Sequence, residues 1–400
     1  MEREVVIVDC SRSAFANLGG GLRHLAATDI GGFTVKGLIE KTGILQKGKV
    51  DALIGGCALG DIQAYSSARY VALKSGLPIE TPALFVEMQC GSGVTGLNHA
   101  AIRILSGQAD VVIAGGFESY STMPAKFSTS SEPYRSIPPK AVPLVLTPNK
   151  ERDIDMVSVN EKMAKKWNIS REDCDHFAVE SQQRLAKAYA AGLIGSEIVP
   201  YTIPATKKSP EIVVDKDEYP RPDTTIESVS KLRPVYEGGV TTAANASGRN
   251  DGACFLLVMS AEKAKEYGYT PYAKWIGCAM KGCQEDLMGI GASHAALEVL
   301  QKTNLKIADM DVMECNEAFA AQNLSVIKDM EEKTGEKIDR SRWNPNGGAI
   351  AIGHPNGASG ARITWFAMKQ LEKTGGKYGL LTVCCGGGQG TSAIIENLRR

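Results

Sequence analysis

Residues 89–104 read "QCGSGVTGLNHAAIRI" and residues 353–368 read "GHPNGASGARITWFAM"; laid over one another they place Cys90 on His354, Gly93 on Gly357 and Gly96 on Gly360. The correspondence extends outward in the same order. Some forty residues upstream, "VDALIGGCALGD" at Val50 resembles "MDVMECNEAFAA" at Met310, and some twenty residues downstream "ADVVIAGGFES" at Ala109 resembles "KYGLLTVCCGGGQG" at Lys377. Each block is a short apolar run of strand length that gives way to small residues, and the two longest continue at helical spacing. Three matches in one order at nearly one spacing imply a duplicated unit. The expected fold is therefore α/β, two duplicated βαβ halves with mixed, mostly parallel sheets packed in layers with helices.

The turn at Cys90 decides whether that fold carries chemistry. "PALFVEMQ" before it reads as a buried strand, and Val94, Leu97, Ala101, Ile104 and Leu105 after it mark one face of a helix. A thiol at a strand-to-helix turn meets unpaired N–H groups and the positive end of a helix dipole, which favour thiolate. The stretch alone fits a buried packing cysteine equally well. The repeat supplies what it lacks. If the halves pack about a pseudo-twofold axis their equivalent turns face each other, and Cys90 meets His354 from about 260 positions away. A cysteine nucleophile needs such a base.

Composition narrows the classes. Lys+Arg and Asp+Glu number 45 each, so no global field draws nucleic acid or an anionic membrane. No run approaches the ~20 apolar residues of a membrane span, and the N-terminus reads as strand rather than signal, so a cytoplasmic protein is expected. Ten cysteines without a secretory segment read as reduced thiols. No metal site is expected, because Cys278 and Cys283 lack CxxC spacing, Cys384 and Cys385 are adjacent, and the histidines lie far apart.

The pattern is interrupted between the halves. Residues 121–245 form an expected inserted loop domain, opening on "SSEPYRSIPPKAVP" and offering helices near "IDMVSVNEKMAKKW" and from Ser170, an N-cap, to Gly192. It should lie across the mouth of the site. The first half, 1–120, is expected to be completed by about 246–268, and the second half to span 269–400.

Five blocks then carry a family resemblance: CGSG at Cys90, NASGRNDGA at Asn245, NEAFA at Asn316–Ala320, GGAIAIGHPNGASG around His354, and CCGGGQG from Cys384. In this order, over essentially the whole chain, they resemble the thiolases, acyl-CoA C-acyltransferases. The resemblance implies reversible acyl transfer between coenzyme A thioesters: Claisen condensation with acetyl-CoA, or CoA-dependent cleavage of a 3-ketoacyl-CoA. It implies that Cys90 holds the acyl group, that His354 takes its proton, and that Cys384 exchanges the α-carbon proton. Asn316, through a water, would work with His354 on one oxyanion, and the N–H groups of Cys90 and Gly386 on the other. It implies no permanently bound cofactor, coenzyme A being substrate and product. Arg221, Ser228 and Ser247 match positions along the adenylate and pantetheine portions, and Met288 and Phe319 match apolar positions near the thioester.

The family pattern, cysteine, one apolar residue, three glycines, puts Cys385 in the apolar slot, and strand alternation turns the two thiols to opposite faces. His99, half a helical revolution from Cys90, reads as structural. Two departures from the short-chain pattern, "DMVSVNE" with Asp155 and Val157, and "MGIGASHAALEVL" from Met288, are expected to wall the acyl pocket and change its preference. The altered "ALGDIQAYSSARY" favours a homodimer over a tetramer. Two other readings remain at this point: a decarboxylating ketoacyl synthase, which would leave Cys384 idle, and an acyl-CoA-binding scaffold without activity.

Overall fold

The computed structural model describes residues 3–205 and 210–400. The first half runs β1 (Val5–Ser13), α1 (Ala27–Thr42), β2 (Ala52–Gly56), α2 (Ser67–Lys74), β3 (Ala83–Val86), α3 (Ser92–Leu105) and β4 (Val111–Glu118). After an insertion holding α4 (Met156–Lys166) and α5 (Arg171–Ala190), the chain returns as β5 (Asn250–Ser260). The second half is β6 (Ala273–Gly282), α6 (Gly291–Thr303), β7 (Met310–Cys315), α7 (Ala320–Thr334), α8 (Asn356–Thr374), β8 (Tyr378–Cys385) and β9 (Gln389–Asn397).

The principal strands lie in the order β7-β8-β9-β6-β1-β5-β4-β2-β3. The order reads alike in both directions from the β6–β1 junction: β1 answers β6, β5 answers β9, β4 answers β8 and β2 answers β7. The duplication seen in the sequence is thus a duplication of topology. The junction is slight, joining Val6 to Lys274 and Ile7 to Ala273.

The sheet is mixed, as expected, but less parallel than expected. Strands joined by helical crossovers, β2 with β3 and β4, and β7 with β8, are parallel. β5 pairs antiparallel with both β1 and β4, and β9 with both β6 and β8. The reason is local: the glycine turn after Cys385 is too short for a crossover and makes a hairpin, and the returning β5 takes the equivalent place in the first half.

Helices on both faces explain the strands' composition. β5 "NDGACFLLVMS" is buried throughout and so is β4 "VVIAGGFE", as expected of strands covered on two sides. α3 and α8 pack on each other and on strands of both halves, while α1 covers the far side of the first half and α6 that of the second. The α3–α8 crossing needs glycine. A Cβ on Gly93 would stand 2.8 Å from the Gly357 carbonyl oxygen, and one on Gly360 would stand 2.4 Å from the Val94 nitrogen. The aligned glycines are where the two repeats touch.

Two sequence expectations fail here. β3 is an edge strand rather than a buried one, with Leu84 37% and Phe85 38% exposed, and Leu105 faces outward at 51%. The insertion agrees better. Ser170 caps α5 with a full capping box closed by Asp173, and Gly192 follows at φ +63°. Arg12 fastens the insertion to β1: fully buried, it meets Glu197 at 2.8 Å and Asp217 at 2.7 Å, and Asp217 also accepts from the Tyr189 hydroxyl.

Candidate active site

Cys90 follows β3 through a strained turn. Gln89, directly before it, has φ +48°, a backbone region that costs a side-chain-bearing residue free energy and recurs at functional sites. The turn is fixed by Ser92, whose hydroxyl donates to the Gln89 carbonyl at 2.7 Å and accepts from the Met88 N–H at 2.9 Å. His354 occupies the equivalent place before α8. Its N–H donates to Asn250 Oδ1 at 3.0 Å, so β5 helps aim it.

One cavity of about 450 Å³ joins these turns. Cys90, His354, Ser247, Met288, Phe319 and Gly386 all line it. Asn316 is buried beside it with Nδ2 3.4 Å from His354 Nε2. Hydrogen-bond direction can be followed through this group. Ser359 donates to the Pro355 carbonyl at 3.1 Å, so it accepts from His354 Nδ1 at 2.7 Å; Arg362 donates to Asn316 Oδ1 at 3.4 Å, leaving Asn316 Nδ2 to donate to His354 Nε2. The imidazole thus carries its proton on Nδ1 and presents a bare Nε2 to the site.

Burial outweighs the helix dipole in setting charge. The thiol of Cys90 is pushed up to about 12, first by burial and then by the Glu118 carboxylate, against the pull of its own N–H and that of Gly386. His354 is pushed down to about 3 by burial and then by the Arg362 charge. The expectation of a resting thiolate is therefore corrected: thiol and imidazole are both neutral at pH 7. The N–H groups of Cys90 and Gly386 lie near enough to the sulfur to pull its pKa down, and so stand beside the place where a carbonyl bonded to that sulfur would carry its oxygen.

Cys384 and Cys385 point to opposite sides of β8, both fully buried, and Cys90 raises the pKa of each beyond what burial does. Cys384 shares a core cluster with Met288, which lines the cavity. Cys385 lies behind the turn, where a Cβ on Gly91 would stand 2.4 Å from its sulfur. His99 lies outside this cavity, among residues of another.

Arg221 and Ser228 line a separate cavity, about 340 Å³, with Ala243 and Ala244. Residues 246–249 line the catalytic one, so residues 243–249 connect the two. Of the two departures expected to wall the pocket, only the first does so. Met156 and Val157 reach the cavity, while Asp155 caps α4 by accepting from Val157 and Ser158 N–H groups at 3.0 Å. The segment after Met288 does not reach it: Gly291 packs on Gln389 and Gly390, and Ser293 is buried against Asp329 at 2.5 Å. Sequence reasoning missed Tyr120, Leu146, Arg249 and Asn356 on the cavity wall; the first three lie outside regular helix and strand, where no periodicity marks them, and Asn356 opens α8. Among the described residues, no group of three His, Cys, Asp or Glu side chains could hold a metal ion, and no helix is long and apolar enough to cross a membrane.

A duplicated α/β fold that brings a cysteine, an unprotonated imidazole nitrogen and backbone N–H donors to one cavity has the parts that thiol-based chemistry on a carbonyl needs. Two family models match, the thiolase N-terminal domain over residues 5–262 and the thiolase C-terminal domain over 269–397, and the chain belongs to the thiolase family. It is 40% identical to an acetyl-CoA acetyltransferase of Chromobacterium violaceum, over 98% of this chain and 99% of that one. It is 41% identical to a beta-ketoadipyl-CoA thiolase of Acinetobacter baylyi, over 99% of this chain and 100% of that one. Among solved structures, Bacillus anthracis acetyl-CoA acetyltransferase superposes at TM-score 0.90 with 33% identity, covering 99% of both chains. Human mitochondrial 3-ketoacyl-CoA thiolase in complex with CoA superposes at 0.88 with 36% identity, covering 99% of this chain and 98% of that one. The protein is a thiolase, an enzyme transferring acyl groups between CoA thioesters; neither the synthase nor the scaffold reading is favoured.

Proposed function

We propose that Cys90 carries the acyl group, that His354 moves its proton, and that Cys384 exchanges the proton of the α-carbon. The single observation that carries this is the neutral Cys90–His354 pair facing one cavity, with the N–H groups of Cys90 and Gly386 at the sulfur. The Cys90 sulfur attacks a thioester carbonyl as His354 Nε2 takes the thiol proton, and the tetrahedral oxyanion rests on those N–H donors. Collapse expels CoA thiolate, which takes the proton from His354 and leaves acyl-Cys90. The α-proton of a second acetyl-CoA then passes to Cys384 in its thiolate form, a minor species there because burial raises that thiol's pKa, with the thioester oxygen facing His354 and Asn316. The enolate carbon bonds to the acyl carbon, Cys90 leaves as thiolate, and the proton held on Cys384 returns to Cys90, which restores both groups. Thiolysis of a 3-ketoacyl-CoA is the same sequence reversed.

Coenzyme A is placed along residues 243–249, with its nucleotide toward Arg221 and Ser228, its pantetheine past Ser247, and its thioester between Met288 and Phe319. The division 1–120 with 246–268, 121–245 and 269–400 then has a meaning: two catalytic halves and a CoA-carrying insertion. Met156 and Val157 support acyl groups other than the shortest, in fatty acid metabolism or a related cytoplasmic route. A homodimer, or a tetramer built from it, is supported by the open edge of β3 and by apolar side chains exposed at Phe127, Leu144 and Val145.

The test compares acetyl exchange between acetyl-CoA and free CoA with full condensation or thiolysis. Cys384→Ala is expected to label at Cys90 and to exchange, yet to lose about 10²–10⁴-fold in full turnover. Cys385→Ala is expected to keep most of both. Equal loss of both reactions in Cys384→Ala, or acyl label on Cys384 with Cys90 free, overturns the assignment.

A further inference from the structure

On the side of Asn316 away from His354, two opposite charges meet with almost no hydrogen bonding. Glu314 on β7 and Arg362 on α8 are both fully enclosed, 3.6 Å apart. Among the described residues neither Glu314 oxygen accepts a hydrogen bond, and Arg362 Nε and Nη1 donate none. The one hydrogen bond of the guanidinium runs from Nη2 to Asn316 Oδ1 at 3.4 Å. A buried ion pair so sparsely bonded adds little to stability, because the cost of desolvating both charges offsets their attraction. Its geometry serves Asn316 instead.

The Asn316 backbone is fixed, its N–H donating to the Thr382 carbonyl at 3.0 Å and its carbonyl accepting from Asn323 Nδ2 at 3.0 Å. The side-chain amide is not fixed by these bonds. Its two ends are alike in size and differ in that one donates and the other accepts. Arginine offers donors alone, so it can face only the oxygen. Nδ2 then lies 3.4 Å from His354 Nε2, and one of its two N–H bonds is left for a thioester oxygen brought to that corner. Turned over, the amide would set an acceptor against a bare imidazole nitrogen and against the oxygen of a forming enolate. Glu314 balances the cation from the strand that leads into Asn316. We infer that Arg362, held by Glu314, is a positioning residue for the enolate step, keeping the Asn316 amide turned with its N–H groups toward His354 and the thioester oxygen. This rests on the acyl-transfer reading of the same site and adds two residues to it.

The experiment follows two half-reactions of the full-length enzyme: acetyl exchange between acetyl-CoA and free CoA, and deuterium uptake at the α-carbon of acetyl-CoA in heavy water. Their ratio is the readout, since loss of folded protein lowers both alike. Asn316→Ala is the reference, expected to lose the ~10²–10³-fold in α-carbon exchange that follows removal of an oxyanion donor, with acetyl exchange less affected. Arg362→Gln can turn either end toward Asn316, and is expected to lower the ratio of α-carbon to acetyl exchange by about tenfold or more. Arg362→Lys, again with donors alone, is expected to restore part of it. Glu314 can protonate in the first of these, because burial already lifts its carboxyl to about 8. Should Arg362→Gln not fold, Glu314→Leu combined with Arg362→Met, which buries no charge, is measured in its place with the same fall expected. An unchanged ratio in these variants while Asn316→Ala lowers it overturns the inference, and so does an Arg362→Lys enzyme no better than Arg362→Gln. An unchanged ratio in Asn316→Ala overturns the part given to Asn316 and this inference with it, leaving Cys90 and His354 as assigned. A wild type that exchanges no acetyl group overturns the acyl-transfer reading itself.

Discussion

At the scale of single residues, charge state is the property that sequence and structure treat most differently. A cysteine ahead of a helix suggests a lowered pKa, yet burial pushes Cys90 up to about 12 and His354 down to about 3. The sign follows directly. Raising a thiol's pKa and lowering an imidazole's both disfavour the thiolate–imidazolium pair, so thiolate is a minor species across neutral pH. Alkylation of Cys90 by iodoacetamide should therefore accelerate about tenfold per pH unit between pH 6 and 9, without a plateau. Peptide mapping by mass spectrometry identifies the modified thiol, and a plateau below pH 7 would establish a resting ion pair instead. The identities of Cys90, His354, Asn316 and Cys384 were legible because motif and repeat mark them. Arg249 and Tyr120 were not, since an arginine or tyrosine in a loop acquires meaning only from the wall it faces.

Among elements, the α3–α8 crossing decides whether the two turns meet. Each helix begins at one of the aligned motifs, and their backbones touch where Gly93 and Gly360 lack side chains. Gly360→Ala places a methyl 2.4 Å from the Val94 nitrogen, a backbone atom that no rotamer change can move aside. The expected cost is about 1–3 kcal/mol of stability, read as a lower midpoint in denaturant. A loss of acetyl exchange is expected in the protein that remains folded, because separating the helices moves Cys90 from His354. Unchanged stability and exchange would mean that the crossing does not set the site. Helix α5 was legible to its cap, since Ser170 and Asp173 act within one turn. The exposure of β3 was not, because "PALFVEMQ" has the composition of an interior strand and only its place in the sheet order makes it an edge.

For the whole molecule, the question is what holds the insertion over the paired halves. Arg12 on β1 is fully buried against Glu197 and Asp217, both from the insertion. Arg12→Met would leave two carboxylates buried without their cation, a change that costs about 3–5 kcal/mol in comparable pairs. Urea unfolding should register that loss. The KM for CoA should rise with it, since the same segment carries Arg221 and Ser228; a normal KM would detach the anchor from CoA binding. By itself, the sequence determined the duplication, the strand-to-helix turns at Cys90 and His354, and the motifs of the family to which the chain belongs, because periodicity, glycine spacing and local capping act over a few neighbouring positions. Only the tertiary structure decided the antiparallel share of the sheet, the protonation of Cys90 and His354, the absence of the "GASHA" segment from the cavity, and the presence of Arg249 in it. Those depend on burial and on contacts between residues far apart in the chain, and neither is written in any local stretch of sequence.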